Sequence, residues 1–279
     1  MIVCPGHAQV VALPPQYIMP QDGHEKQDWE RQAGKRWLAK HAKQIAPHGV
    51  PLLGDDLYSN QPFCERALAQ GCNFILTCKP DSHATLSERL AFWQATDAIA
   101  EHEVGPRDRS VAHVTRLRSI NDVLLRRGDG ALAVHWFEMT VVHAKTGEQL
   151  HHNSWMTNHR LTPAKVLDMA QAGRARWKVE NANNNVLKTK GYHIEHHFGH
   201  GKHYLSAVML SLNLLAFLFH TVLEWSDDKY AVLRRVIARR QSFFNDMQAL
   251  MRYMVFDDWH HLMDFMIRGL ELASHFDTS

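Results

Sequence analysis

A chain of 279 residues is long enough for one large domain or two small ones, and its 31 Lys and Arg residues against 29 Asp and Glu residues leave a net charge of only +2. This balance excludes a strongly basic protein, so any binding of nucleic acid would depend on local basic patches. The four cysteines form no Cys-x-x-Cys pair, which argues against a zinc ribbon and is typical of reduced cysteines in a cytoplasmic protein.

The pattern of the first residues is typical of the interior of a sheet rather than of its first strand. Residues 1–7 are typical of a strand end followed by a turn, and Ala8–Leu13 of a second short strand. Because a domain rarely begins inside a sheet, we expect the first strand to lie upstream of Met1. A chain without this strand would expose the edge of the neighbouring strand, so we expect poor solubility when it is produced alone.

Helices and buried strands alternate up to residue 104. Apolar residues at helical spacing predict a helix over Gln27–Ile45, and Val50–Leu53 is typical of a buried strand. Further signals predict a helix between Asn60 and Gly71, a strand over Asn73–Cys78, and a helix from a capping box at Thr85–Glu88 to about Ala100.

The pattern becomes β-rich after Gly105. Val111–Arg126 and Leu132–Val142 alternate between apolar and polar residues, and glycines between them predict a hairpin turn. We interpret residues 105–160 as a β-rich insertion into an α/β core formed by residues 1–104 and 161–203. Thr162 and Pro163 predict the start of the next helix.

The C-terminal region, residues 204–279, is predicted to be wholly helical. Leu205–Leu223 is uncharged and about long enough to span a bilayer, but five polar residues interrupt it. We therefore interpret it as a buried central helix of a protein that does not contact a membrane.

A pair of carboxylates follows the predicted strand Val50–Leu53. Ligand sites of open α/β sheets form at the carboxyl ends of the strands, and Asp55 has this position. Asp56 is the alternative, because successive strand residues point to opposite faces. Both could also be ordinary polar residues that end a strand.

Glu180 is a second acidic position of interest, on a predicted helix that runs to about Lys190. Arg176 lies four residues earlier, and residues at this spacing share a helix face. In a site that cuts DNA, the arginine could hold a phosphate while the glutamate binds a metal ion. A surface salt bridge would explain the same pair.

The residues around both positions resemble bacterial insertion-sequence transposases of the DDE type. The resemblance runs through most of the chain, and members of that family have an RNase H-like fold with a β-rich insertion before the glutamate helix. It is carried by Gly54–Tyr58 and Asn73–Pro80, and more specifically by Gly173–Asn181, Leu187-Lys188, Gly191-Tyr192 and Glu195–Gly201.

The resemblance implies a site and an activity. Asp55 would be the second catalytic aspartate and Glu180 the catalytic glutamate, both ligands of Mg²⁺ or Mn²⁺. The reaction would cut the ends of an insertion sequence and join them to target DNA. Arg176, Lys178 and Lys188 would contact the DNA, and the intact enzyme would act as a homo-oligomer.

Three features depart from the family pattern. A tyrosine often found seven residues before the glutamate is Gly173 here, and a lysine seven residues after it is Leu187, with Lys188 one step away. The first catalytic aspartate has no match, because residues 1–19 contain no acidic residue. We therefore expect a fragment with impaired activity. The alternative is a non-catalytic DNA-binding protein or inhibitor derived from a transposase.

Clusters of histidines and arginines are further candidates. The histidines could hold zinc in an unrelated enzyme, although a role in the turn after the Glu180 helix, or in phosphate contact, is favoured. The arginines could neutralise phosphates or form a solvated helix face. The residues are His193, His196, His197, His200 and His203, and Arg234, Arg235, Arg239 and Arg240.

Overall fold

A computed structural model describes residues 1–18, 26–105, 113–196 and 204–272. They form an α/β structure with a six-stranded mixed sheet, and most of the helices are in the C-terminal part of the chain. Contacts divide the chain into two compact units. We call residues 15–176 the sheet unit, and residues 1–14 with 177–279 the helical unit.

The elements are numbered in chain order. The strands are β1 (Ile2–Val3), β2 (Val10–Val11), β3 (Leu52–Gly54), β4 (Phe74–Thr77), β5 (Ala100–Val104), β6 (His113–Leu124), β7 (Ala133–His143) and β8 (Gln149–Thr157). The helices are α1 (Lys26–Ile45), α2 (Gln61–Ala69), α3 (Ala84–Ala95), α4 (Val166–Arg174), α5 (Asn185–Thr189), α6 (Leu205–Ser226), α7 (Asp228–Val236), α8 (Arg240–Tyr253) and α9 (Trp259–Gly269).

The sheet has the strand order β3-β4-β8-β7-β6-β5. Strands β3 and β4 are parallel, with Leu53 opposite Ile75, and every other neighbouring pair is antiparallel. Because the carboxyl ends of parallel strands lie at the same edge, the residues after Gly54 and after Thr77 are brought close together. Strand β3 is an edge strand of this sheet.

The strands predicted after Gly105 continue this sheet. Strand β8 pairs with β4, with Leu76 opposite Met156, and β7 and β6 follow it. The residues interpreted as an insertion therefore share one layer with β3 and β4. Helix α3 ends at Ala95, before its predicted end at about Ala100, and Ala100 is instead the first residue of β5.

Local signals explain where the helices of the sheet unit begin and end. Helix α2 has the predicted start, since the Asn60 side chain accepts a hydrogen bond from Phe63 N at 3.1 Å, and Gly71 beyond its end has φ +74°. The predicted capping box at Thr85–Glu88 does not form. Helix α3 starts one residue earlier, and Ser87 Oγ instead donates to Pro80 O at 3.0 Å.

Two apolar clusters hold helices against the sheet. Helices α1, α2 and α3 contribute to a cluster that includes Leu76 and Met156, and α4 contributes to a cluster around Phe137 and Trp155. The rings of Phe137 and Trp155 stack with centroids 5.3 Å apart, and both are almost fully buried. Burial of side chains of this size contributes about 2–3 kcal/mol each, which fixes the sheet as a rigid support.

The helical unit contains the two shortest strands and the C-terminal helices. Strands β1 and β2 are present as predicted, but they form a separate antiparallel pair with Ile2 opposite Val11. Val10 of this pair packs with Leu187 and Phe217. A further cluster is formed by residues of α7, α8 and α9, among them Tyr230 and Phe243.

The prediction of a buried central helix is wrong for α6. Only Phe217 and Thr221 of its 22 residues are buried. In the part of the chain that the structure describes, α6 is the one helix long and apolar enough to cross a membrane, judged by length and composition alone. Its mean hydropathy is 1.8, and 11% of its most apolar window is buried.

Candidate functional site

Asp55 lies where the chain leaves the carboxyl end of β3. It precedes a 3₁₀ turn at Asp56–Tyr58, and its Oδ1 accepts a hydrogen bond from Leu57 N at 3.1 Å. The side chain is exposed. A glycine is needed just before it, because a Cβ on Gly54 would lie 2.7 Å from Leu76 Cδ2. The geometry therefore presents the Asp55 carboxylate to solvent at the strand end.

Tyr58 holds the same turn against α1. Its hydroxyl donates a hydrogen bond to Glu30 O at 3.3 Å, and a Cβ on Gly34 would lie only 2.7 Å from its ring. Burial raises the pKa of Tyr58, and the nearby Asp55 carboxylate raises it further. The phenol is thus neutral and able to donate at physiological pH.

Asp56 points away from solvent and links two loops. Its Oδ1 accepts a hydrogen bond from Lys79 N at 2.7 Å, and it lies 3.3 Å from Ser59 Oγ and 3.4 Å from His83 Nε2. We call Asp56, Ser59, His83 and the Lys79 amide the Asp56 cluster. The cluster holds the loop after β3 in contact with the loop after β4.

The protonation of His83 follows from its neighbours. Burial lowers the pKa of His83, and the Asp56 carboxylate acts in the opposite direction. The Ser59 hydroxyl lies 2.7 Å from Asp56 O and also 2.7 Å from His83 Nε2. A neutral imidazole with its proton on Nε2 satisfies these contacts, since Ser59 then donates to the carbonyl and accepts from the ring.

The two adjacent aspartates therefore have different surroundings. Three groups contact the Asp56 carboxylate, whereas the Asp55 carboxylate accepts a hydrogen bond from Leu57 N in the following turn and faces solvent. Sequence reasoning did not identify Ser59 or His83. Nothing in the spacing of Ser59 and His83 indicates that they meet, because their contact depends on how β3 and β4 pair.

Glu180 lies in an uncommon type of helix. The predicted helix is present in three parts: a 3₁₀ turn at Ala175–Trp177, a π-helix at Val179–Asn184 and then α5. The N–H of Asn185 donates to Glu180 O, which is the wider i→i+5 bond of a π-helix. Glu180 itself is exposed. Turns of this kind are rare and often occur at functional sites.

The three predicted DNA-contacting residues differ in exposure. Lys178 is buried, and its Nζ donates to the backbone carbonyls of Cys4 and His7. Lys188 is exposed, with its Nζ 2.7 Å from Glu195 Oε1. Arg176 is partly exposed within the 3₁₀ turn. A structural role, holding the β1–β2 loop, thus accounts for Lys178.

The candidate residues belong to two units. Asp55, Asp56 and Arg176 are in the sheet unit, and Lys178, Glu180 and Lys188 are in the helical unit. Carboxylate oxygens such as those of Asp55 and Glu180 suit Mg²⁺ or Mn²⁺. Among the described residues, no group of three or more His, Cys, Asp and Glu side chains is arranged to hold a metal ion.

Gly173 packs directly against the ring of Trp155. A Cβ on Gly173 would lie 2.7 Å from Trp155 Nε1 and 2.8 Å from its Cε2. Because Trp155 is 1% exposed, the ring has little freedom to move away. A side chain at this position would overlap the buried ring, so the close packing of α4 on Trp155 explains the glycine.

The histidine cluster is described only in part. His193 and His196 border an open pocket of about 450 Å³ together with Tyr192, Met209 and Leu212, while the last three histidines lie outside the described residues. The final part of the second resemblance block also lies outside them. A zinc site at these histidines stays a prediction.

The four C-terminal arginines do not share one helix. The chain leaves α7 at Val236 and enters α8 at Arg240, so the four residues do not form one continuous helix face. Arg240 Nη2 donates to Glu224 Oε1 at 3.1 Å, and Arg234 donates to the Ile237 and Ala238 carbonyls. Arg235 and Arg239 are the two exposed members.

Comparison with known proteins adds no assignment to this geometry. No protein-family model matches the sequence, and a search of curated proteins finds no significant match.

Proposed function

We propose that this chain derives from a DDE-type transposase with an RNase H-like core, in which Asp55 and Glu180 are metal-binding carboxylates. The observation that carries this proposal is the contrast at the end of β3. Asp55 is exposed at the carboxyl end of a strand, whereas its neighbour Asp56 is held by Lys79 N, Ser59 and His83. The same contrast favours Asp55 over Asp56 as the ligand.

Two further observations support the proposal. Strand β3 is parallel to β4, and sites in sheets of this kind form beyond the carboxyl ends of the strands. Glu180 lies in a π-helix, a geometry that is frequent at functional sites. Both carboxylates are exposed and supply hard oxygen donors.

Each residue has a role in this proposal. Asp55 and Glu180 would hold Mg²⁺ or Mn²⁺, which would supply charge stabilisation to an in-line displacement at phosphorus. Arg176 would hold a phosphate of the DNA, and Lys188, which is exposed, would add a second cationic contact. The substrates would be transposon ends and target DNA, acted on by an oligomer in the cytoplasm.

A non-catalytic DNA-binding protein or inhibitor is the second candidate. It is favoured by the absence of any acidic residue from positions 1–19, where the resemblance calls for the first catalytic aspartate. Cations at the protein surface would still bind DNA. Among those with exposed side chains are Arg116, Arg127, Arg235 and Arg239.

Strand cleavage by the full chain separates the two candidates. We expect Mn²⁺- or Mg²⁺-dependent nicking of supercoiled DNA that carries the element's ends, and loss of this nicking in Asp55→Asn and Glu180→Gln. Matched controls are Asp129→Asn and Glu148→Gln, which remove exposed carboxylates from hairpin turns of the sheet unit.

Binding measured on the same DNA without metal completes the test. Salt-sensitive binding without nicking would support the second candidate. Equal nicking by all four variants would overturn the assignment of Asp55 and Glu180. Absence of both binding and nicking would overturn both candidates.

A further inference from the structure

The outer face of α6 carries an apolar stripe with heptad spacing. Its members lie alternately three and four positions apart, which is the spacing of the a and d positions of a coiled coil. They are exposed by 36–63%. The members, which we call the α6 stripe, are Leu205, Val208, Leu212, Leu215, Phe219 and Val222.

The opposite face of α6 is attached to the helical unit. Phe217 and Thr221 are buried, and Thr221 Oγ donates to Phe217 O at 3.0 Å and to Val10 O at 3.4 Å. His220 Nδ1 lies 2.7 Å from the Tyr230 hydroxyl. These contacts hold one face of α6 against the helical unit and leave the stripe on the exposed face.

The stripe is large enough to form an interface with a second helix. At about 150–200 Å² for a fully accessible large apolar side chain, six residues at roughly half exposure present on the order of 500 Å². This is comparable with the largest apolar patches of monomeric proteins. Pairing of two such stripes would bury on the order of 1,000 Å², which is about the smallest area expected of a specific interface.

We propose that the α6 stripe pairs with the α6 stripe of a second copy of this chain, in antiparallel orientation. A two-fold axis between Leu212 and Leu215 then places these two residues opposite each other. Phe219 faces Val208, and Val222 faces Leu205. The largest side chain of the stripe thus packs against one of the smallest, so each pair of facing residues occupies a similar volume.

The charge pattern also favours a second copy over a different partner. Residues 205–223 contain no Asp, Glu, Lys or Arg. This segment of α6 therefore carries no charge that would repel an identical helix or attract a partner of opposite charge. Glu224, the first charged residue after them, is already paired with Arg240. This inference does not depend on the proposed chemistry, since it concerns α6 alone.

The test is the mass of the full chain in solution, measured by sedimentation over a concentration series. We expect a dimer, and we expect Leu212→Lys or Leu215→Glu alone to raise the dimer dissociation constant by roughly 100-fold or more, because a charge is buried without a partner. Mixing the two variants should restore a dimer, since position 212 of one copy faces position 215 of the other only in the antiparallel arrangement.

Val255→Glu is the matched control, because Val255 is 93% exposed and lies outside the stripe. It should leave the dimer unchanged. A chain that stays monomeric at all concentrations would overturn the proposal, as would a dimer that survives Leu212→Lys and Leu215→Glu. Flotation of the wild-type chain with phosphatidylglycerol vesicles that is lost in Leu212→Lys would assign the stripe to a membrane instead.

Discussion

The backbone N–H of Lys79 donates a hydrogen bond to Asp56 Oδ1 at 2.7 Å, although the two residues follow different strands. This bond, with the contacts of Ser59 and His83, closes the loops after β3 and β4 onto each other. Asp55 sits at the start of the closed turn and remains exposed. One aspartate therefore shapes the turn, and the adjacent one is available to a ligand.

Asp56→Ala should destabilise the sheet unit more than Asp55→Ala does. The first change leaves the Lys79 amide without its acceptor and removes the contact with His83, whereas Ser59 keeps its hydrogen bond to the backbone carbonyl of residue 56, and the cost should be about 1–3 kcal/mol. The second removes one exposed bond to Leu57 N and should cost about 0.5–1 kcal/mol. Urea unfolding followed by circular dichroism measures both. Equal losses would mean that the two carboxylates have equivalent surroundings.

Gly173→Ala should lower stability because the new methyl group would overlap the Trp155 ring. Overpacking of a buried site typically costs about 1–3 kcal/mol. A smaller ring should relieve the overlap, so the pair Gly173→Ala with Trp155→Phe should cost less than the sum of the two single changes. Thermal unfolding of the three variants gives this comparison, and strict additivity would contradict the close contact.

Lys178 and Lys188 should respond differently to substitution by methionine. Lys178→Met removes two charge-assisted bonds to the Cys4 and His7 carbonyls and should cost about 2–3 kcal/mol. Lys188→Met removes an exposed ion pair with Glu195 and should change stability by less than about 0.5 kcal/mol. We expect only Lys188→Met to weaken DNA binding while the fold stays intact. If Lys178→Met retained full stability, the structural role assigned to this lysine would be contradicted.

The helical unit should lose stability in mild acid through His220. Burial lowers the pKa of His220 to about 4, with Arg240 and Arg234 adding to the shift. The unfolded chain takes up this proton near pH 6.5, so stability is fully present above that pH and is lost as the pH falls toward 4. The loss should be roughly 3 kcal/mol by pH 4.

His220→Asn supplies the reference for this titration. The amide can still contact the Tyr230 hydroxyl, so the variant should fold but lack the acid-dependent loss. Urea unfolding of both proteins at several pH values isolates the contribution of His220 from that of the other histidines. Parallel stability curves for the two proteins between pH 7 and pH 4 would show that His220 does not cause the loss.

The sequence was informative where the signal was local. Asn60 and Gly71 delimit a helix by their own side chain and backbone preference, and the structure confirms both positions. The run Asn73–Cys78 contains the buried strand β4, because its apolar residues pack in two clusters that contain residues of different helices. The same reasoning anticipated that a carboxylate follows β3 and favoured Asp55, with Asp56 as the alternative.

Features that depend on distant parts of the chain could not be predicted. The pairing of β8 with β4 makes the supposed insertion part of the main sheet, and no local pattern specifies which strand joins which. His83 meets Asp56 only after β3 and β4 have paired. The exposure of α6 is a similar case, because apolar composition does not say what covers a helix.

The position of β4 in the sheet also determines the order in which the protein can be assembled during synthesis. Strand β4 is buried at all four residues, yet its antiparallel neighbour is the segment around Thr157, which the ribosome completes much later. Until then, β3 and β4 are a two-stranded parallel pair, which is not expected to be stable alone. Strand β4 therefore pairs with β8 late in synthesis. Until residues 78–157 have been added, its apolar side chains must be shielded from contacts with other chains.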